Sequence, residues 1–378
     1  MGEGKGVNVM ANQRLLVVIL LLFLGRPDCT LGERGVFLPE SAAAETTEAE
    51  PPAPPEMFST PSVGYIFDPD TRALRPILGT AGAALFGSRV DLGMAVRRAW
   101  VPPRPSFLLA EVEGSQEVLL LDTQHGSEAA KSLTGLPIGA NQVAVSPTGT
   151  AMAFYFRADN RFQIVSGLPG SPEVSSGIDV GAPGLLSSLA VSDDGQAALV
   201  AFTDAGSSSV YLVQAAQKRV VAQAGEVGAM TFLANSLNAV FADTAANEVR
   251  LLTDVTSAAT AQILAEESRG ISHPLGLQVS ADNSRIFVLN SGAQAITTVD
   301  LISGLITHVP INGSASKLQR LSGDVFQLTD DFRETTLLFD AASPEPRVVF
   351  VPRFVERSNG RSAARDQVPD SRRPLPLR

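Results

Sequence analysis

Three histidines (His125, His273 and His308), one cysteine (Cys29) and two acidic stretches (Ser192-Asp-Asp-Gly195 and Asp68-Pro-Asp70) are the residues of this chain best able to do chemistry. Zinc needs His or Cys ligands at set spacings, such as His-Glu-x-x-His on one helix face, and none of the three histidines falls at such a spacing. Calcium loops need further oxygen ligands and a terminal Glu after the first acids. Neither acidic stretch continues that way, and both suit tight turns between strands. No Gly-x-Ser-x-Gly nucleophile elbow and no glycine-rich phosphate cradle occurs. The residues thus call for no metal and no cofactor, and they single out no catalytic group.

Charge narrows the partners. The chain has 378 residues with 29 basic against 39 acidic, a net charge of −10, so nucleic acid would have to be met against the mean field of the protein. A hydrophobic content of 44% and a mean hydropathy of +0.14 exclude disorder throughout and provide for a sizeable core.

The ends differ from the middle. Leu15 to Leu24 is an unbroken apolar run behind Lys5 and Arg14. A spanning helix needs about 20 apolar residues and a signal core only about 7 to 15, so residues 1–32 read as a signal peptide with Thr30-Leu31-Gly32 before the cut. Its loss removes Cys29 and leaves no thiol chemistry, disulfide or membrane span. Residues 33–62, rich in Pro, Ala and Glu, read as a disordered linker, and 353–378, with seven arginines against three acids, as a basic disordered tail. The expected location is secreted, periplasmic or cell-envelope.

The elements that must position any site lie between, at 63–352. A short apolar strand ending in Ser, a polar turn and a second apolar strand recur at Val143–Gly149, Leu189–Gly195 and Leu277–Asn283. Ser146, Ser192 and Ser280 are spaced by 46 and 88 residues, so a degenerate copy is expected between the last two, and Met230–Ser236 stands there. Fainter copies fit at Ala99–Pro103 and Leu318–Ser322. The period of about 44 is that of a four-stranded propeller blade. Stretches such as Ala151–Phe156, Ala198–Phe202 and Arg285–Leu289 are short, β-branched or aromatic, and bounded by Gly, Asn and Asp. A hairpin at Gly64–Ile77 precedes the first full unit and is expected to stand alone at the N-terminal edge. The fold class is therefore all-β, a β-propeller of six complete units and an N-terminal partial blade, closing with seven blades or with six.

Residues 274–300, PLGLQVSADNSRIFVLNSGAQAITTVD, resemble the surface-layer propeller repeat with consensus PxGVAVSPDGxxxYVTNxxxxxVSVID. The resemblance is good over about 40 residues, fair at 141–166 and 187–214, and implies a propeller of seven blades, secreted or on the cell envelope, with no single activity. A lone Trp and the lack of any Gly-Gly pair set this chain apart from tryptophan-aspartate and kelch repeats.

In propellers, the loop entering each innermost strand and the loop between second and third strands open onto one face, the usual binding surface of the fold. That places His273, Asn141, Asp159, Asn160 and Asn290 as candidate ligand contacts, and His308 on a blade's outer edge. The expected role is a binding scaffold for a protein or glycan at the cell envelope, acting as a monomer. The alternative is a propeller-type hydrolase, lactonase or lyase with its site at the channel mouth.

Overall fold

Apolar and β-branched runs of four to eight residues, cut by Gly, Asn, Asp and Pro, cannot bury themselves singly and pair locally into small antiparallel sheets. The computed structural model describes residues 61–103, 106–181, 184–329 and 335–353, and among them 28 strands form seven such sheets, the blades of a seven-bladed β-propeller. The one helical element among them is a 3-10 turn, Glu267–Arg269. The signal peptide, and nearly all of the linker and basic tail, lie outside the described residues.

Blade 1 comprises β1 (Ser62–Asp68), β2 (Ala73–Thr80) and β3 (Ala83–Phe86). Blade 2 comprises β4 (Val96–Trp100), β5 (Phe107–Val112), β6 (Glu117–Asp122) and β7 (Gly126–Pro137). Blade 3 has β8 (Gln142–Val145), β9 (Met152–Phe156) and β10 (Arg161–Ser166), with a split outer strand, β11 (Glu173–Val174) and β12 (Ile178–Asp179). Blade 4 is β13 (Leu185–Val191), β14 (Ala197–Asp204), β15 (Ser207–Gln214) and β16 (Gln217–Ala224). Blade 5 is β17 (Val227–Phe232), β18 (Ala239–Asp243), β19 (Glu248–Thr253) and β20 (Thr260–Ala265). Blade 6 is β21 (Pro274–Val279), β22 (Arg285–Asn290), β23 (Ala295–Asp300) and β24 (Ile306–Pro310). Blade 7 is β25 (Gln319–Ser322), β26 (Val325–Gln327), β27 (Thr336–Asp340) and β28 (Arg347–Val351). Within blades 2 to 7 the first strand is innermost and each later one lies further out. The N-terminal hairpin does not stand alone: it gains β3 and packs against blade 7.

The core sits between blades. Side chains alternate along a strand, so each sheet sends one set to each neighbour. In β9, Met152, Phe154 and Phe156 pack with Phe107 and Leu109 of blade 2, while Ala153 and Tyr155 pack with Val200 and Phe202 of blade 4. In β22, Ile286 and Val288 face blade 5, and Phe287 and Leu289 face blade 7. Both faces are buried, so these strands read as unbroken apolar runs rather than alternating ones. Each buried Phe or Leu contributes about 1.5–3 kcal/mol.

The recurrent Ser has a local cause. Ser146, Ser192 and Ser280 are each 1% exposed, and each Oγ accepts the backbone N–H five residues on, from Ala151, Ala197 and Arg285, at 3.0, 3.0 and 2.9 Å. The hydroxyl closes the tight turn from innermost to second strand; Gly149, Gly195 and Asn283 supply its positive φ.

Candidate binding face and central channel

The inner strands enclose a cavity of about 390 Å³. Trp100, Val145, Ala190 and Met230 line it with apolar groups, and Thr231, Gln278, Gln319 and Gln327 with neutral polar ones. Its charged lining residues are Lys317 and Arg320. Trp100 meets Phe154 edge-on at 5.2 Å, tying this wall to the core between blades 2 and 3.

Arg320 is 8% exposed and joins blades 6 and 7. Its Nη1 donates to Asp324 Oδ1 at 3.0 Å and to the Gly323 carbonyl, its Nη2 donates to the Val279 carbonyl, and the guanidinium lies 4.9 Å from the Phe326 ring centre. Burial lowers its pKa and the Asp324 bond opposes that. Asp324 also accepts from Arg285 Nη2 at 3.0 Å and from the Ala281 N–H at 2.8 Å.

The loops entering the innermost strands and the turns between second and third strands share the opposite end of the ring. In blade 3, the Asn141 Oδ1 accepts the Arg157 N–H at 2.7 Å, and the Tyr155 hydroxyl donates to Asn160 Oδ1 at 3.0 Å. Asp159 is exposed on the same turn. In blade 6, Asn290 is fully buried; its Oδ1 accepts the Ser272 N–H at 3.1 Å and its Nδ2 donates to Thr297 Oγ1 at 2.6 Å. His273 is exposed, with φ 48, and its carbonyl accepts from the Ser291 hydroxyl at 3.0 Å. The five candidates therefore fall into two groups on one face, Asn141, Asp159 and Asn160 in blade 3 and His273 and Asn290 in blade 6, with no hydrogen bond between the groups among the described residues. Asn141, Asn160 and Asn290 hold loops; Asp159 and His273 present side chains.

Sequence reasoning missed Asp243 and Asn247. Asp243 is 1% exposed and accepts N–H groups from Gly225, Glu226 and Ala246 at 3.0, 3.2 and 3.1 Å, and Asn247 Oδ1 accepts the His273 N–H at 2.7 Å. Asp243 ends β18 as Asn290 ends β22, so aligning the repeats would have found it. His308 lies on the outer strand β24 as expected, its Nδ1 2.9 Å from Thr297 Oγ1. His125 sits beside Asp122 at 3.2 Å, on a turn between third and fourth strands. Among the described residues no group of three or more His, Cys, Asp or Glu could hold a metal ion, and no helix is long and apolar enough to cross a membrane.

No protein-family model and no curated protein matches the sequence. Solved structures do resemble it. A functionally unknown protein from Desulfotomaculum acetoxidans superposes with a TM-score of 0.52 at 15% identity, over 76% of this chain and 94% of that one. The Cps50 (Swd1) β-propeller domain of Myceliophteria thermophila gives 0.45 at 9% identity, over 71% and 93%. Hydrazine synthase of Kuenenia stuttgartiensis gives 0.45 at 13%, over 78% and 97%. At these identities the likeness is one of fold, and the chain is a seven-bladed β-propeller.

Proposed function

We propose that this propeller is an interaction scaffold, exported by its N-terminal signal, that presents one loop face to a protein or glycan at the cell envelope. The observation that carries the reading is the way that face is built. Buried or bonded Asn141, Asp243 and Asn290 fix the loops from beneath, and exposed Asp159 and His273 stand on them. Loops fixed before binding lose little conformational freedom when a partner arrives, so few contacts suffice for affinity. The location and the class of partner rest on the apolar N-terminal run and on the surface-layer repeat resemblance.

Two measurements test it. N-terminal sequencing of the chain made in a bacterial host should begin at Glu33 in the exported fraction; a full-length chain retained in the cytoplasm overturns the export. Immobilised protein should capture the same envelope component as wild type when His125 and Asp254, on the opposite face, are changed to Ala, and lose it on changing Asp159 and His273. Equal capture by both variants overturns the assignment of the face.

A further inference from the structure

The hydroxyl of Thr297 stands where three polar groups of blades 5 and 6 meet. Asn290 Nδ2 donates to its Oγ1 at 2.6 Å, His308 Nδ1 lies 2.9 Å away, and the Gly270 carbonyl oxygen lies 3.5 Å away. The sense of the first bond is fixed, because Asn290 Oδ1 accepts the Ser272 N–H and so turns the amide nitrogen toward Thr297. One lone pair of the hydroxyl is thereby occupied, and its single proton has two acceptors competing for it. A neutral His308 with its proton on Nε2 takes that proton at 2.9 Å. A protonated His308 carries a proton on Nδ1 as well, donates it to Oγ1, and leaves the hydroxyl proton to the Gly270 carbonyl.

The two ends of this set of bonds have different surroundings. His308 is exposed on the outer strand β24, and its ring lies so close over Gly270 that a Cβ there would come within 2.5 Å of Cε1. Thr297 and Asn290 are fully buried. Gly270 ends the 3-10 turn with φ 85, and Ile271, Ser272 and His273 lead from it into β21. These residues form the loop entering the innermost strand of blade 6. Ile271 is fully buried, the Ser272 N–H and carbonyl are held by Asn290 and by the Gly292 N–H, and His273 is exposed.

We propose that His308 is a proton-operated control on this loop: protonation at the outer edge of the blade transfers the Thr297 hydrogen bond to the Gly270 carbonyl and fastens residues 270–273 more firmly. Its consequence for capture rests on the reading of the loop face as the binding face. Histidine is the side chain whose charge ordinarily changes between about pH 5 and 8. The charged groups on the elements packed against His308 are Glu266, Glu267 and Arg269 at the 3-10 turn, Asp300 on β23 and Arg347 on β28. Arg269 shares a groove with the imidazole and donates to the Leu264 and Gly304 carbonyls at 3.4 and 2.6 Å. Glu266 accepts the Ser268 hydroxyl, Glu267 accepts from Asn247 Nδ2, Asp300 accepts the N–H and hydroxyl of Ser303, and Arg347 lies 3.8 Å from Asp340. Carboxylates and guanidinium groups keep their charge across that range, so the imidazole is the group that responds.

An NMR titration of the full chain between pH 5 and 8 tests this with no partner present. The Ile271 amide nitrogen, whose shift reports a hydrogen bond accepted by the Gly270 carbonyl, should move with the midpoint of the His308 ring. Amide exchange at Ile271 and Ser272, corrected for its intrinsic pH dependence, should slow by about two- to tenfold below that midpoint. Thr297→Val keeps the shape and removes the hydroxyl, so His308 should still titrate while the Ile271 response disappears. His308→Gln, on an exposed strand position, keeps the test open if the buried variant fails to fold: its Ile271 shift should hold still across the range while His273 continues to titrate, which separates the loop's own histidine from His308. An Ile271 shift that ignores the His308 midpoint, or that follows it equally in Thr297→Val, overturns the proposal. Capture from a detergent-solubilised envelope fraction should strengthen below the midpoint in wild type more than in His308→Gln, because a loop fixed beforehand loses less freedom on binding. An Ile271 response of the expected kind with equal capture by the two proteins supports the control of the loop and overturns the reading of the face.

Discussion

Asp193 binds Thr148 twice, accepting its N–H at 2.8 Å and its hydroxyl at 2.6 Å on one carboxylate oxygen, while the other oxygen holds the Asn235 N–H at 2.7 Å. One side chain on a blade 4 turn thus fastens blades 3 and 5. Replacing it with Ala removes three charge-assisted bonds at a partly buried site, and the net cost is about 2 kcal/mol. Asp193→Ala should lower the thermal midpoint by several degrees. A cycle with Thr148→Ala should show a coupling of about 1 kcal/mol, and strict additivity would deny the link.

Asp282 gives the fold a dependence on acid. The Ser280 hydroxyl, at 2.6 Å, and the N–H and hydroxyl of Ser284, at 3.0 and 2.7 Å, all donate to its Oδ1 and hold its carboxyl well below the usual range. A folded pKa below the unfolded one adds stability above the unfolded value of 3.8, and that stability fades as the pH falls further. Denaturant melts of wild type and Asp282→Asn should therefore differ most at neutral pH and converge in strong acid. Parallel curves across that range would show that the carboxylate charge is not what the serines hold.

Phe287, Phe326 and Phe339 form a ring cluster between blades 6 and 7, with centres 5.2, 5.5 and 6.1 Å apart and every ring fully buried. Phe326→Ala opens a cavity there and should cost about 3–5 kcal/mol. Phe326→Leu keeps most of the volume and should cost less than half of that. Chemical denaturation of both variants checks the order, and equal losses would point to the ring contacts rather than to packing volume.

The propeller was legible in the sequence because its repeat has a physical cause at each point that recurs. Ser146, Ser192 and Ser280 close the same turn with the same hydroxyl, and Leu233 occupies that turn position in blade 5 without one, bonding only through its backbone to Asn238 at 2.9 Å. That is why the copy there read as degenerate. The hairpin at Gly64–Ile77 was legible as a hairpin but not as part of a blade, since β3 and the packing against blade 7 involve residues distant from it in sequence. The candidate residues were legible as members of one face because loop position follows from strand order. Their division into loop-holding and presented side chains was not, because an Asn at a strand end reads the same whether its amide is buried, as in Asn290, or half-buried, as in Asn160.

That division separates two variants that the sequence would treat alike. Asn290 satisfies the Ser272 N–H and bonds the Thr297 hydroxyl inside the blade, so Asn290→Ala leaves the Ser272 N–H without its acceptor, while Thr297 keeps His308, and should cost about 2 kcal/mol while loosening the loop that carries His273. His273 makes its hydrogen bonds through the backbone, to Asn247 and Ser291, so His273→Ala should stay within about 0.5 kcal/mol of wild type except for strain at φ 48. Partner capture should then respond in both variants, for different reasons. In Asn290→Ala the loss should shrink when binding is measured well below the thermal midpoint, where the loop is held by the rest of the blade. In His273→Ala it should stay constant with temperature, because what is missing is the contact itself. A His273→Ala protein of unchanged stability and unchanged capture would move the binding surface off this loop.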